Sequence, residues 1–89
     1  MRREQIPIVN KLGLHARASA KLVELARRFQ STVTLSKDHD AVDGKSILGI
    51  LMLAAACGET VELQAQGTDE NEAAEAIRDL FQRRFDEDE

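Results

Sequence analysis

The chain has 89 residues, a net charge of −4 and a single cysteine. That length gives one domain with a shallow core and no room for a deep catalytic cavity. The acidic balance and the lack of aromatic residues spaced for base stacking exclude nonspecific nucleic-acid binding, no apolar run is long enough to cross a bilayer, and one cysteine cannot form an intrachain disulfide.

Gln5 to Val9 reads as a strand with Ile6 and Ile8 on one face. Pro7 has no N–H to give to a ladder, which places the strand at an edge. Gly13 suits a sharp corner, and from Ala16 the spacing predicts a helix to about residue 29. Its core stripe is Ala18, Leu22, Leu25, Ala26 and Phe29. Arg17, Ala20, Lys21, Glu24 and Arg28 lie off that stripe, on a largely basic face that is either solvated or a docking surface for an acidic partner. His15 falls at the mouth of this helix, where backbone N–H groups have no intrahelical partner and the dipole is positive. Such an end accepts a phosphate, and Arg17 adds donors and a permanent charge. A neutral imidazole is also a competent nucleophile, so the pattern points to a histidine that carries a phosphoryl group. The bland alternative is a histidine that caps a helix and faces water.

Ser31 to Ser36 alternates as a second strand, Lys37 to Asp40 is turn material with an exposed His39, and Ala41 to Asp43 makes a short third strand. Ser46 is placed to N-cap a second helix. That helix is apolar on nearly every side, runs through the alanines to Cys57 and ends at Gly58. A chain this small can hardly cover such a helix completely. Ile47, Leu48, Leu51 and Met52 are therefore candidates for an exposed ridge that binds partners, unless loops or a second copy cover it. Cys57 reads as a small apolar residue at the helix end. Thr60 to Gly67 is a strand with Val61, Leu63 and Ala65 inward. The last helix opens with Asp69 and Glu72 at capping-box spacing and buries Ala73, Ile77, Leu80 and Phe81. Residues 85–89 read as a flexible acidic tail. His15, His39 and Cys57 show no metal-site spacing, and no cofactor is implied.

The order βαββαβα, with one-sided strands, predicts an α+β open-faced two-layer sandwich, an antiparallel sheet with its helices on one face. A ferredoxin-like split sheet is the rival. The run Asn10-Lys11-Leu12-Gly13-Leu14-His15-Ala16-Arg17-Ala18, with Asp43-Gly44-Lys45-Ser46-Ile47, resembles the HPr family of histidine phosphocarrier proteins of the bacterial phosphotransferase system. The likeness covers nearly the whole chain, residues 1–89, as a single domain. Asn10 to Gly13 and the acidic end are more similar to the nitrogen-related, NPr-like branch. Ala18 departs from the pattern, since many members have proline at that position.

The resemblance implies a four-stranded sheet in the order 1-4-2-3 with three helices. It implies that His15 receives phosphate, by analogy on Nδ1, from an Enzyme I-type protein (or its nitrogen-branch counterpart) charged by phosphoenolpyruvate. An EIIA-type acceptor then takes it. Arg17 and the backbone N–H groups of Ala16 and Arg17 would hold the phosphoryl oxygens. The second helix would dock partners, and Ser46 matches the serine that an HPr kinase modifies in many members. A monomer in the cytoplasm, in sugar uptake or nitrogen-related regulation, is the expectation. A regulatory binding module without phosphotransfer is the alternative, and a hydrolase using His15 as a base lacks a cavity.

Overall fold

The computed structural model describes residues 1–88. The strands are β1 (Arg2–Pro7), β2 (Thr32–Lys37), β3 (Asp40–Asp43) and β4 (Thr60–Gln66); the helices are α1 (Ala16–Ala26), α2 (Ile47–Leu53) and α3 (Glu70–Gln82). They form one antiparallel sheet in the order β1-β4-β2-β3. Pro7 lies opposite Thr60 on the edge strand, where its missing donor costs the ladder nothing on the open side. The alternation of the central strands places Val33, Leu35, Val61, Leu63 and Ala65 on the covered face, all fully buried. All three helices pack there, α1 through Ala18, Leu22, Val23 and Ala26, and α3 through Ala73, Ala74, Ile77, Leu80 and Phe81. Among the described residues no helix is long and apolar enough to cross a membrane.

Several boundaries differ from the sequence reading, each for a local reason. β1 begins at Arg2 rather than Gln5, because Arg2 and Glu4 satisfy their charges against α3, where Arg2 pairs with Glu75 at 3.1 Å and Arg78 with Glu4 at 3.5 Å. α1 stops at Ala26 rather than near residue 29. The Asp69 carboxylate accepts from the N–H groups of Gln30 and Ser31, at 2.8 and 2.9 Å, and draws the chain into β2. Asp69 is therefore a tie between α3 and the α1–β2 turn, not half of a capping box, and makes no side-chain cap bond to its own helix. Leu25 and Phe29 are only partly buried, and Ser19 and Val23 take the more central places.

The second helix is shorter than its apolar run. It ends at Leu53, and Ala54 adopts a left-handed conformation with φ 52° and ψ 40°. Ala55 then presents its carbonyl to the N–H of Leu14 at 3.0 Å. Lys37 Nζ holds the carbonyl of Ala54 at 3.1 Å, and Glu59 accepts from the N–H of Ala56 at 2.7 Å. The alanines thus serve as a platform under the Gly13–His15 corner instead of continuing the helix. Cys57 consequently lies exposed in a turn and is not a helix-end residue.

The acidic end departs most from expectation. Residues 84–86 form one tight turn, and Phe85 is fully buried in the core. Phe85 therefore is not part of a frayed tail, and it carries Glu87 back toward α1. Glu89, the last residue of the expected tail, lies outside the described residues.

Candidate functional site

His15 is the N-cap of α1, with extended backbone at φ −76° and ψ −178°. Its Nδ1 accepts from the N–H of Arg17 at 3.3 Å, a weak cap made by a ring nitrogen in place of the usual side-chain oxygen. Its carbonyl accepts the first intrahelical bond, from the N–H of Ser19 at 2.9 Å. Ser19 is buried because its Oγ donates to the carbonyl of Leu14 at 3.1 Å, which fixes the residue just before the histidine.

The corner itself depends on Gly13 and Asn10. Gly13 has φ +64°, and an added Cβ would lie 2.6 Å from the Ala55 carbonyl oxygen and 2.9 Å from Ala56 Cα. Only glycine suits both the left-handed backbone and that close approach. Asn10, fully buried, accepts on its backbone carbonyl from the Gly13 N–H at 3.1 Å and donates from Nδ2 to the Gly13 carbonyl at 2.8 Å. The same Nδ2 also donates to Glu87 Oε1 at 3.1 Å. Glu87 Oε2 in turn lies 2.5 Å from His15 Nε2. The imidazole is thus gripped at both nitrogens, while its side chain keeps 27% of its surface in solvent.

Burial opposes ionisation of Glu87. Its hydrogen bonds to His15 and Asn10, with electrostatic attraction to His15 and Arg17, outweigh that cost and hold the carboxyl below the usual value. An open cleft of ≈ 410 Å³ lies beside the ring, lined by Lys11, Leu12, His15, Arg17, Glu87 and Asp88. A concavity open to solvent, in which Lys11 and Arg17 stand together with Glu87 and Asp88, suits a small group presented by another protein better than a substrate that must be enclosed. Among the described residues no cluster of His, Cys, Asp and Glu is disposed to hold a metal ion.

Of the residues singled out in the sequence, His15, Ala16 and Arg17 come together here, with Ala16 and Arg17 exposed on the first turn of α1. Ala20, Glu24 and Arg28 are exposed further along the helix, and Arg28 pairs with Glu24 at 3.4 Å. Lys21 is half-buried and donates to the carbonyl of Phe85 at 2.7 Å, so it ties down the C-terminal turn. Ser46 caps α2, its Oγ accepting from the Gly49 N–H at 3.1 Å. Ile47, Leu48, Leu51 and Met52 are 41%, 68%, 37% and 73% exposed, while Ile50 and Leu53 face the core. Among the described residues, neither the loops nor the C-terminal turn covers this ridge.

Three contributors escaped the sequence reading. Asn10 carried a signal in its three-residue spacing to Gly13, a common arrangement for a side chain that closes a turn. The spacing of Phe81 and Phe85 was a core signal masked by the charges around it. Glu87 had no local signal at all, since only tertiary folding brings it to His15.

A family model described as "PTS HPr component phosphorylation site" matches residues 2–83. The chain is 55% identical over 82 residues to the phosphocarrier protein HPr of Cupriavidus necator, covering 92% of each sequence. It is 44% identical over 86 residues to the phosphocarrier protein NPr of Proteus mirabilis, covering 94% of each. Its structure is similar to that of HPr-C-His from Thermoanaerobacter tengcongensis, with a TM-score of 0.97, 43% identity and 100% coverage of both chains.

Proposed function

The chain belongs to the HPr family of phosphocarrier proteins of the phosphotransferase system, and from that premise we propose that His15 is the residue that carries the phosphoryl group. The observation that supports this reading is the placement of Nδ1 against the Arg17 N–H, at the positive end of α1 and beside an open cleft. An arriving phosphoryl oxygen takes over that N–H, and the Arg17 guanidinium adds charge at the rim. Exchange of a phosphoryl group between two imidazoles needs little covalent help, so positioning and charge dominate. The donor in this proposal is an Enzyme I-type protein, ultimately charged by phosphoenolpyruvate, and the acceptor is an EIIA-type protein. The carrier acts as a cytoplasmic monomer.

The exposed ridge of Ile47, Leu48, Leu51 and Met52 is the surface on which those partners seat, joined by the exposed α1 residues Arg17, Ala20, Glu24 and Arg28. Ser46 is the proposed regulatory position. Phosphate on its Oγ adds about two negative charges at the edge of the ridge and weakens docking. Unchanged partner affinity in Ser46→Asp overturns that role. The finer placement in the nitrogen-related branch rests on Asn10 to Gly13 and the acidic end. Faster labelling by the nitrogen-branch counterpart of Enzyme I supports it, and faster labelling by the sugar-branch enzyme overturns it.

The central test is transfer of labelled phosphate from phosphoenolpyruvate through Enzyme I to the purified chain. Wild type gains an acid-labile, base-stable phosphate. His15→Ala gains none while keeping its circular dichroism spectrum. Labelling of His15→Ala at the wild-type level refutes the assignment, and a wild-type chain that binds partners without taking label favours a regulatory binding module.

A further inference from the structure

We infer that Glu87 is a positioning residue for His15: its carboxylate keeps the ring proton on Nε2 and so leaves Nδ1 as the atom that takes and surrenders the phosphoryl group. The inference rests on the reading of His15 as the phosphoryl acceptor.

Two independent partners select the same tautomer. Glu87 Oε2, 2.5 Å from Nε2, is an acceptor when ionised, so the nitrogen facing it carries the hydrogen. The Arg17 N–H, 3.3 Å from Nδ1, can only donate, so the nitrogen facing it carries the lone pair. The carboxylate is itself held at its other oxygen by Asn10 Nδ2 at 3.1 Å, and that amide is fixed in turn by the Gly13 carbonyl at 2.8 Å. The charged form of Glu87 is the favoured one, as its lowered pKa indicates.

Backbone strain accompanies the path that brings Glu87 there. Arg84, Phe85 and Asp86 have φ of +58°, +55° and +62°, three consecutive left-handed residues and none of them glycine. In each, the Cβ crowds the backbone, so the turn forms only where the surroundings hold it. Burial of Phe85 and the bond from Lys21 Nζ to its carbonyl offset that strain. Without this reversal the chain after α3 would leave the molecule.

The chemistry balances without a proton leaving the ring. The Nδ1 lone pair forms the new bond to phosphorus as the bond from phosphorus to the donor's ring nitrogen breaks, and that electron pair returns to the donor ring. The proton stays on Nε2, so the phosphorylated ring of His15 is a cation with the Glu87 carboxylate against it. On discharge the Nδ1–phosphorus pair returns to Nδ1, and a neutral imidazole departs. Such a ring is a better leaving group than one that has lost its Nε2 proton, which suits a carrier that must give up what it holds. The other charged groups lining the cleft are Lys11 from the turn before α1, Arg17 from α1 and Asp88 beyond Glu87.

Glu87→Gln and Glu87→Ala in the full chain test the inference. The Asn10 amide is buried and fixed, so the side-chain amide introduced by Glu87→Gln satisfies it with its single oxygen and turns its NH₂ toward Nε2. That substitution opposes the Nε2–H tautomer, whereas alanine merely removes the support. The expected results are a shift of the ring nitrogen resonances toward the Nδ1–H form in Glu87→Gln and labelling by Enzyme I slower by about tenfold or more. Glu87→Ala is expected to be less impaired. A purely structural role for Glu87 predicts the reverse order, since glutamine is the closer replacement. Wild-type ring resonances and labelling in Glu87→Gln, or a larger loss in Glu87→Ala, overturn the inference. If the wild-type chain takes no label on His15, the underlying reading fails instead.

Discussion

Phe85 packs edge-on against Phe81, with ring centroids 4.9 Å apart and 61° between the ring planes. This contact links the last turn of α3 to the segment that ends at the histidine, so a core interaction sets the geometry of a surface site. The two rings also account for much of the aromatic surface in a chain with only three phenylalanines and no tyrosine or tryptophan.

Phe85→Ala is expected to destabilise the fold by roughly 3–5 kcal/mol, the cost of losing a buried ring and leaving a cavity. Against a total stability of about 5–15 kcal/mol for a domain of ordinary stability, the shift is large. Phe85→Leu, which fills part of the space, is expected to cost distinctly less. Urea unfolding midpoints measure both. A change in Phe85→Ala of under about 0.5 kcal/mol, as for an exposed site, contradicts the burial.

The buried faces of strands and helices were legible because one-sided alternation and helical spacing are local signals, clear in Val61–Leu63–Ala65 and in Ala73–Ile77–Leu80, whereas the sheet order β1-β4-β2-β3 was implied by the family resemblance and not by any local pattern. The edge position of β1 followed from a single proline. The placement of His15 and Arg17 at the start of α1 was legible too, since a helix mouth and its first turn lie close together in the sequence. What remained hidden was tertiary. The alanines after Leu53 read as helix because nothing local says that Ala55 must serve Leu14. The C-terminal segment read as a tail because its charges outweighed one phenylalanine. Glu87 meets His15 across a separation of 72 residues, which no spacing rule spans.

Gly13→Ala is expected to be more damaging than Gly58→Ala, although both glycines have positive φ. At Gly58, with φ +92°, an added Cβ meets nothing within 4 Å, so the cost is backbone strain alone. At Gly13 the same strain is joined by contacts of 2.6 and 2.9 Å with the backbone of Ala55 and Ala56. Strain of this kind costs about 1 kcal/mol, and the backbone clash adds to it. Thermal midpoints of the two variants give the comparison, and labelling of Gly13→Ala by Enzyme I is expected to slow because the corner that carries His15 must shift. Equal midpoints contradict the close packing of Gly13 on the alanine platform.

Asp69 gives a pH dependence of known sign. The Ser31 hydroxyl, which donates to it at 2.5 Å, and the Gln30 and Ser31 N–H groups hold its carboxyl below the ordinary value of 3.8. A folded pKa below the unfolded one means that the unfolded chain binds the proton more readily. The contribution is therefore complete above the ordinary value and is lost as pH falls from there through the folded pKa. Unfolding curves at neutral pH and at about pH 3 are expected to differ less in Asp69→Ala than in wild type. An identical acid loss in both proteins assigns the effect to other carboxylates.

The ridge on α2 permits a separation of docking from chemistry. Leu48 and Met52 are 68% and 73% exposed, so replacing either with a charged residue removes little buried surface and is expected to change stability by no more than about 0.5 kcal/mol. Any functional loss in Leu48→Glu then comes from contact with a partner. His15 and Arg17, the groups proposed to hold the phosphoryl group, are unchanged in that variant, so once bound it is expected to react as wild type does. The expected result in the Enzyme I assay is a raised KM for the carrier with kcat retained, because the interaction removed serves the ground state and the transition state equally. If the Arg17 charge acts on the phosphoryl oxygens as they move, as proposed, Arg17→Ala is expected to show the opposite balance, with kcat falling more than KM rises. An unchanged KM in Leu48→Glu would mean that Enzyme I seats elsewhere, and a fall in kcat alone would mean that the ridge positions the histidine instead of gripping the donor.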